Sequence, residues 1–214
     1  WYYQRTKNFD VYFYKGGNAQ ARHISLHCEK EFPRITSILG YAPESKTEVV
    51  LFHSIADMQE SNVGLNQELS YIGGEANIFR NKIMVAYRGS LTDLEKELTA
   101  KISEAILNEM MYGGNLQEML QNALLLNLPT WFDKGLYAYL AYGWSSEMDD
   151  FIKNSVINKR FRKASNMSLK DATFTGQSIW NYIVQKYGSA SVGNILNLTR
   201  LTRSVESAIS ATLG

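Results

Sequence analysis

Polar and apolar residues alternate with a period of two near the start of the chain. Further on they switch to the spacing of helices. Asn8 to Tyr14 (N-F-D-V-Y-F-Y) sets Phe9, Val11 and Phe13 against Asp10 and Tyr12, which predicts a half-buried strand. Lys15-Gly16-Gly17-Asn18 supplies a turn. Ala19 to Leu39 reads as a helix whose apolar or half-buried positions include Ile24, Leu26, His27, Phe32, Ile35 and Leu39. Pro33 is expected to kink or end it, because proline lacks the N–H that a helix interior needs. Thr47 to Phe52 reads as a short buried strand, and Ser54 to Glu60 as a helical turn. Gly73-Gly74 opens an expected hairpin, with Glu75 to Phe79 returning through Arg80-Asn81 into Lys82 to Tyr87.

Beyond residue 90 the pattern is helical. Ser90 is the expected N-cap of a long helix, with Asp93 three residues on. Leu94, Leu98, Ile102, Ala105 and Ile106 form its apolar stripe, Met110-Met111-Tyr112 extend it, and Gly113-Gly114 end it. Further helices are expected over Leu116 to Leu126, Thr130 to Gly143, Met148 to Ile157, Gly176 to Tyr187, Val192 to Leu201 and Ser204 to Leu213.

Composition narrows the function class. With 214 residues, 45% of them hydrophobic and 20% charged, the chain suits one large domain or two small lobes around a core. A net charge of +1 gives no bulk field for nucleic acid or an anionic membrane. No apolar run approaches the roughly 20 residues that span a bilayer, so no transmembrane segment is expected. The residues after Trp1 do not form a charged region followed by an apolar one, so no signal peptide is expected among them. Cys28 is the single cysteine, which excludes an intrachain disulfide.

Two stretches carry a resemblance: Glu109-Met110-Met111-Tyr112-Gly113-Gly114, and Leu128 to Tyr139 (L-P-T-W-F-D-K-G-L-Y-A-Y). The early N-F-D-V-Y-F-Y-K-G-G and the later G-Q-S-I-W-N-Y-I-V-Q-K-Y-G fit the same pattern in the same order. Together they resemble the peptidase-MA-like domain, of gluzincin type, found in bacterial envelope proteins of the TolB-like translocation group. The resemblance implies a zincin-like, thermolysin-type α+β fold across residues 1–214. A mixed sheet lobe would cover about residues 8–90 and a helical lobe about 91–214, with a groove between them. It also implies a periplasmic or cell-envelope location and a β-propeller following in the full-length protein.

In that family the long helix carries H-E-x-x-H. Its two histidines share a helix face and bind zinc, and the glutamate serves as base for the metal-bound water. A glutamate on the next helix, within W-F-x-E-G-L-A-E-Y, is the third ligand. Carried over position by position, the histidines fall on Ala100 and Glu104 and the base on Lys101. The third ligand falls on Lys134 and the second glutamate of that pattern on Ala138. No histidine follows His53, so H-E-x-x-H occurs nowhere. These departures imply no catalytic residues, no bound metal and no cofactor, and therefore a pseudo-peptidase. Lys134 and Glu104 are expected to face each other across the former metal site as an ion pair, a type that often contributes little net stability.

In such folds the strand at Gly74, Glu75, Ala76 and Asn77 lies at the sheet edge, where an extended peptide can pair with it. A plain hairpin turn explains the glycines equally well. The expected partner is thus a protein or peptide and not nucleic acid. Two alternatives stand beside this reading: a zinc-dependent peptidase using atypical ligands such as Glu104, His23 and His27, or a purely structural spacer.

The H-x-x-x-H of His23 and His27 has metal-binding spacing but lacks an intervening glutamate, and it also fits two half-buried helix residues. His53 reads as a loop residue. Tyr137, Tyr139, Tyr142 and Trp144 form an aromatic group that suits a core or a partner anchor. Lys159-Arg160-Phe161-Arg162-Lys163 reads as a solvated basic loop. No G-x-S-x-G, phosphate-binding loop or cysteine-nucleophile pattern is present.

Overall fold

A computed structural model describes residues 1–61, 68–71, 74–77, 82–113, 122, 125–158 and 167–214. The expected helix over Leu116 to Leu126 falls mostly outside the described residues, as does the basic run 159–163. The class is α+β, with a small mixed sheet and a majority of helix. The chain divides into two compact units, Trp1–Ser37 with Tyr41–Leu125, and Ile38–Gly40 with Leu126–Gly214.

The strands, all in the first unit, are β1 (Tyr2–Arg5), β2 (Phe9–Phe13), β3 (Thr47–Phe52), β4 (Glu68–Tyr71), β5 (Gly74–Asn77) and β6 (Lys82–Ala86). One sheet has the order β1-β2-β3-β6, with β1 antiparallel to β2 and the remaining pairs parallel. The period-two reading of β2 holds: Phe9, Val11 and Phe13 are buried and Asp10 and Tyr12 are not. Register carries that face across the sheet, aligning Val11 with Val49 and Ile83, and Phe13 with Leu51 and Val85. All six are buried, each worth roughly 1.5–3 kcal/mol relative to exposure. β1 lacks a clear alternation, and its Tyr2 and Tyr3 stay more than half exposed at the sheet edge.

Helix α1 (Asn18–Leu39) lies on the buried face, where Phe32 meets the edge of Phe9 at 5.7 Å between ring centroids. It does not end at Pro33, which sits inside it. One turn on, the Thr36 hydroxyl donates to the Phe32 carbonyl at 2.8 Å. The anchor of α1 is Glu29. Its carboxylate accepts from the Thr6 hydroxyl at 2.6 Å and from the Asn8 backbone and side-chain N–H groups at 2.7 Å each. The β1–β2 turn is thereby tied to the middle of the helix. Burial pushes the Glu29 pKa up, but these hydrogen bonds and the charge of Lys7 outweigh it and hold it below the usual carboxylate value.

Helix α2 (Ile55–Glu60) starts at Ser54, as expected. Helix α3 (Leu91–Tyr112) packs on β6, so it belongs to the sheet-containing unit, which runs to Leu125. The Ser90 hydroxyl accepts from the Asp93 N–H at 3.2 Å, and Gly113, at φ 97°, terminates the helix.

The second unit contains α4 (Thr130–Tyr142), α5 (Ser146–Ile157), α6 (Leu169–Tyr187), α7 (Ala190–Thr202) and α8 (Val205–Leu213). Ser145, Ser168 and Ser204 cap α5, α6 and α8. α6 begins seven residues before the expected Gly176, because Ser168 and Asp171 exchange capping bonds of 2.8 and 3.2 Å. Gly176 is instead a packing residue. A Cβ there would land on the Trp131 carbonyl, and one at Gly135 would lie 2.5 Å from Gly176 backbone atoms. The backbones of α4 and α6 therefore meet directly. Beside them the Trp180 indole N–H donates to the Phe132 carbonyl at 2.7 Å, and Gln177 Nε2 donates to the Gly143 carbonyl at 2.6 Å.

Three outcomes follow from these anchors. Glu29→Ala should cost the first unit about 1.5–3 kcal/mol in urea denaturation, since three donors lose a charged acceptor. The depressed pKa means that the Glu29 contribution is present above the ordinary carboxylate pKa of about 4.3 and lost as pH falls through the lower folded-state value. Glu29→Gln should therefore flatten the acid limb of stability. Gly176→Ala should destabilise the second unit by about 3 kcal/mol or more, read as lost hydrogen-exchange protection in α4 and α6.

Candidate functional site

The positions that the resemblance assigns to zinc lie on α3 and α4. Leu94, Leu98, Ile102 and Ile106 bury one face of α3 and so fix its rotation. Ala100, Lys101 and Glu104 follow half-buried beside that stripe, in the first unit. Lys134 and Ala138 belong to the second unit, on α4. The Lys134 ammonium lies 5.2 Å from the centre of the Tyr137 ring, a cation–π contact. Its backbone N–H donates to the Asp133 carboxylate at 2.6 Å, and Ala138 is buried.

This set does not fit zinc, which needs three nitrogen, sulfur or carboxylate donors. Alanine offers none, and the ammonium groups of Lys101 and Lys134 repel a dication. Glu104 alone remains. Among the described residues no three His, Cys, Asp or Glu groups are gathered so as to hold a metal ion as they stand.

The expected hairpin between Glu75–Phe79 and Lys82–Tyr87 is corrected. β5, carrying Gly74, Glu75, Ala76 and Asn77, pairs antiparallel with β4, with Leu69 opposite Ala76 and Tyr71 opposite Gly74. β6 instead joins β3 in parallel. The physical reason is composition. Ile83, Val85 and Ala86 are buried and suit the core sheet, whereas Gly-Glu-Ala-Asn has no large apolar side chain to contribute. β5 therefore lies in a separate two-stranded sheet, with β4 as its one ladder partner among the described residues.

The histidine pair finds a partner that spacing could not reveal. His23 Nε2 lies 2.8 Å from Glu95 Oε1 on α3, and His27 Nδ1 lies 3.8 Å from the same oxygen. His27 Nε2 is 2.9 Å from the Thr99 hydroxyl, which itself donates to the Glu95 carbonyl at 2.9 Å. Which of His27 and Thr99 donates in this bond depends on the imidazole tautomer, since the Thr99 hydroxyl has one proton for two acceptors. Burial lowers the His27 pKa, against the charges of Glu95 and Glu31. Glu95 and Thr99 sit one position past the α3 apolar stripe, 72 residues from their histidines, so only the packing of α1 on α3 brings them together.

A groove on the outer face of the sheet also escaped sequence reading. Register aligns Tyr3, Tyr12, Val50 and Met84 in one row, and Arg5, Asp10, Glu48 and Lys82 in the next. Trp1 stacks on Tyr14 at 3.7 Å and meets Phe52 edge-on at 5.8 Å. Trp1, Tyr12, Glu48, Val50 and Lys82 line a cavity of about 310 Å³. Asp10 and Tyr12 carried the only signal, as the non-core positions of β2.

The remaining candidates divide. Tyr137 is buried core, Tyr142 is about half exposed, and the Trp144 indole donates to Asp149 at 3.0 Å. His53 follows β3 in a bend, 6.1 Å from the Tyr14 ring. Among the described residues no helix is long and apolar enough to cross a membrane. No family, curated protein or solved structure matches the chain.

Cys28 is buried completely, and burial pushes its thiol pKa up to about 12. It should not react with a disulfide reagent at pH 8 until denaturant is added. Rapid labelling of the native protein would show the helix face to be open.

Proposed function

We propose that this chain is a non-catalytic, metallopeptidase-like domain of zincin type that binds an extended peptide segment of a partner protein in the bacterial envelope. The observation that carries the non-catalytic part is the chemistry at five positions. Ala100, Lys101, Glu104, Lys134 and Ala138 provide one carboxylate, two cations and two methyl groups, where hydrolysis needs a metal cage and a base.

Peptide recognition needs no metal. An extended segment can add to a free strand edge through main-chain hydrogen bonds. The two-stranded arrangement of β5 with β4 supports this role, because among the described residues β5 is paired on one side only, and an unpaired edge is what an added strand uses. Gly74 at its start favours close backbone approach.

A peptide array probed with the purified chain tests both parts. Capture of extended peptides without zinc-dependent cleavage is expected. In an antiparallel strand neighbouring N–H groups point to opposite sides, so one of Glu75→Pro and Ala76→Pro removes an outward donor and should abolish capture. Capture unchanged in both, or zinc-dependent cleavage lost in Glu104→Gln, would overturn the reading.

A further inference from the structure

We propose that the outer face of the first unit's sheet carries a saccharide-binding groove, lined by Trp1, Tyr12, Glu48, Val50 and Lys82. It shares no residue with β5, on which the proposed peptide capture rests. Three observations converge: a ligand-sized cavity, an exposed aromatic surface held in place, and a neutral pair of charged groups at the far end.

The cavity measures about 310 Å³, at the lower end of the range for small-molecule sites. Its length follows from the strands. Phe52, which meets Trp1, and Glu48 lie four residues apart on β3, so the aromatic and charged rows stand roughly 13 Å apart. Tyr12 and Val50, paired in register, lie between the two rows. That span accommodates a disaccharide.

At one end the Trp1 indole stacks on Tyr14 at 3.7 Å and meets Phe52 edge-on, yet 55% of the residue stays exposed. A flat surface already held by its neighbours loses little freedom on binding. Tyr3, opposite Tyr12 and 60% exposed, extends it. Sugar rings suit such a surface, because their faces are C–H groups that pack on an aromatic ring and their hydroxyls project at the rim.

At the other end Lys82 Nζ lies 3.9 Å from Glu48 Oε2, too far for a hydrogen bond between the two. They stand side by side as a donor and an acceptor, 23% and 48% exposed. Two neighbouring sugar hydroxyls match them: one donates to the carboxylate, the other accepts from the ammonium, and the ion pair stays intact. Arg5 and Asp10 in the same row are likewise paired, at 3.0 Å. The row therefore has no net charge with which to select an ion, and a zwitterion would have to pull Lys82 and Glu48 apart. Burial and the charges of Glu48 and Asp10 push the Tyr12 pKa up, so its hydroxyl keeps the proton and adds a further donor and acceptor.

NMR titration of the chain with maltose, cellobiose and diacetylchitobiose tests the groove. At least one of the three should give saturable shifts at the Trp1 indole and at the amides of Tyr12, Val50 and Lys82. Its affinity should fall about tenfold in Trp1→Ala and in Glu48→Ala, and stay unchanged in Tyr142→Ala. Should Trp1→Ala unfold the unit, Glu48→Ala and Lys82→Met, at the rim, keep the test. No saturable shift with any of the three, affinity indifferent to both rim variants, or binding of free tryptophan but of no disaccharide would overturn the groove. Peptide capture should persist in Trp1→Ala, so the two readings fail separately.

Discussion

The inward row of the sheet governs everything in the first unit. Strand side chains alternate strictly, so burying Phe9, Val11 and Phe13 commits Val49, Leu51, Ile83 and Val85 to the same side through the ladder. A slip of one residue would turn Asp10 and Glu48 into the core. With the register locked, α1 has one apolar surface to cover, and Glu29 fixes where along it the helix sits. The meeting of α1 and α3 at Glu95 follows from that placement. The outer face is set by the same rule: whatever the core does not take, including Tyr12 and the charged row, is presented on the other side.

The outer row shows how a sheet handles charge near apolar surface. Arg5 bonds Asp10 at 3.0 Å, and Lys82 lies 3.9 Å from Glu48, so the four charges form two neutral pairs. Pairs this exposed add little stability. They do bound the aromatic rows on one side with polar groups.

Elements with a clear period or a cap were legible in the sequence. β2, β3, α1 and α3 were readable from spacing, and the Ser90 cap from its residue type. What stayed hidden depends on distant partners. β1 is a strand only because β2 offers it an edge, and its own residues carry no alternation. The partner of β5 was misjudged because glycine beside short polar residues marks a turn without saying which strand returns. The start of α6 was missed because threonines and Gly176 read as weak helix formers, although Gly176 is required there by the close approach of α4. The histidine spacing was visible, but Glu95 was not, since a contact across 72 residues leaves no local mark. That Ala100, Lys101, Lys134 and Ala138 offer no metal donor is a matter of residue type.

At the crossing of α4 and α6, Gly135 and Gly176 bring main chain against main chain. Helices that touch through side chains can slide by exchanging rotamers. Here the contact at Gly135 and Gly176 is between backbones, so moving either helix along its axis would drive a neighbouring side chain into the opposing main chain. The pair is therefore keyed against axial translation, and the helical unit should respond to load as a stiff element.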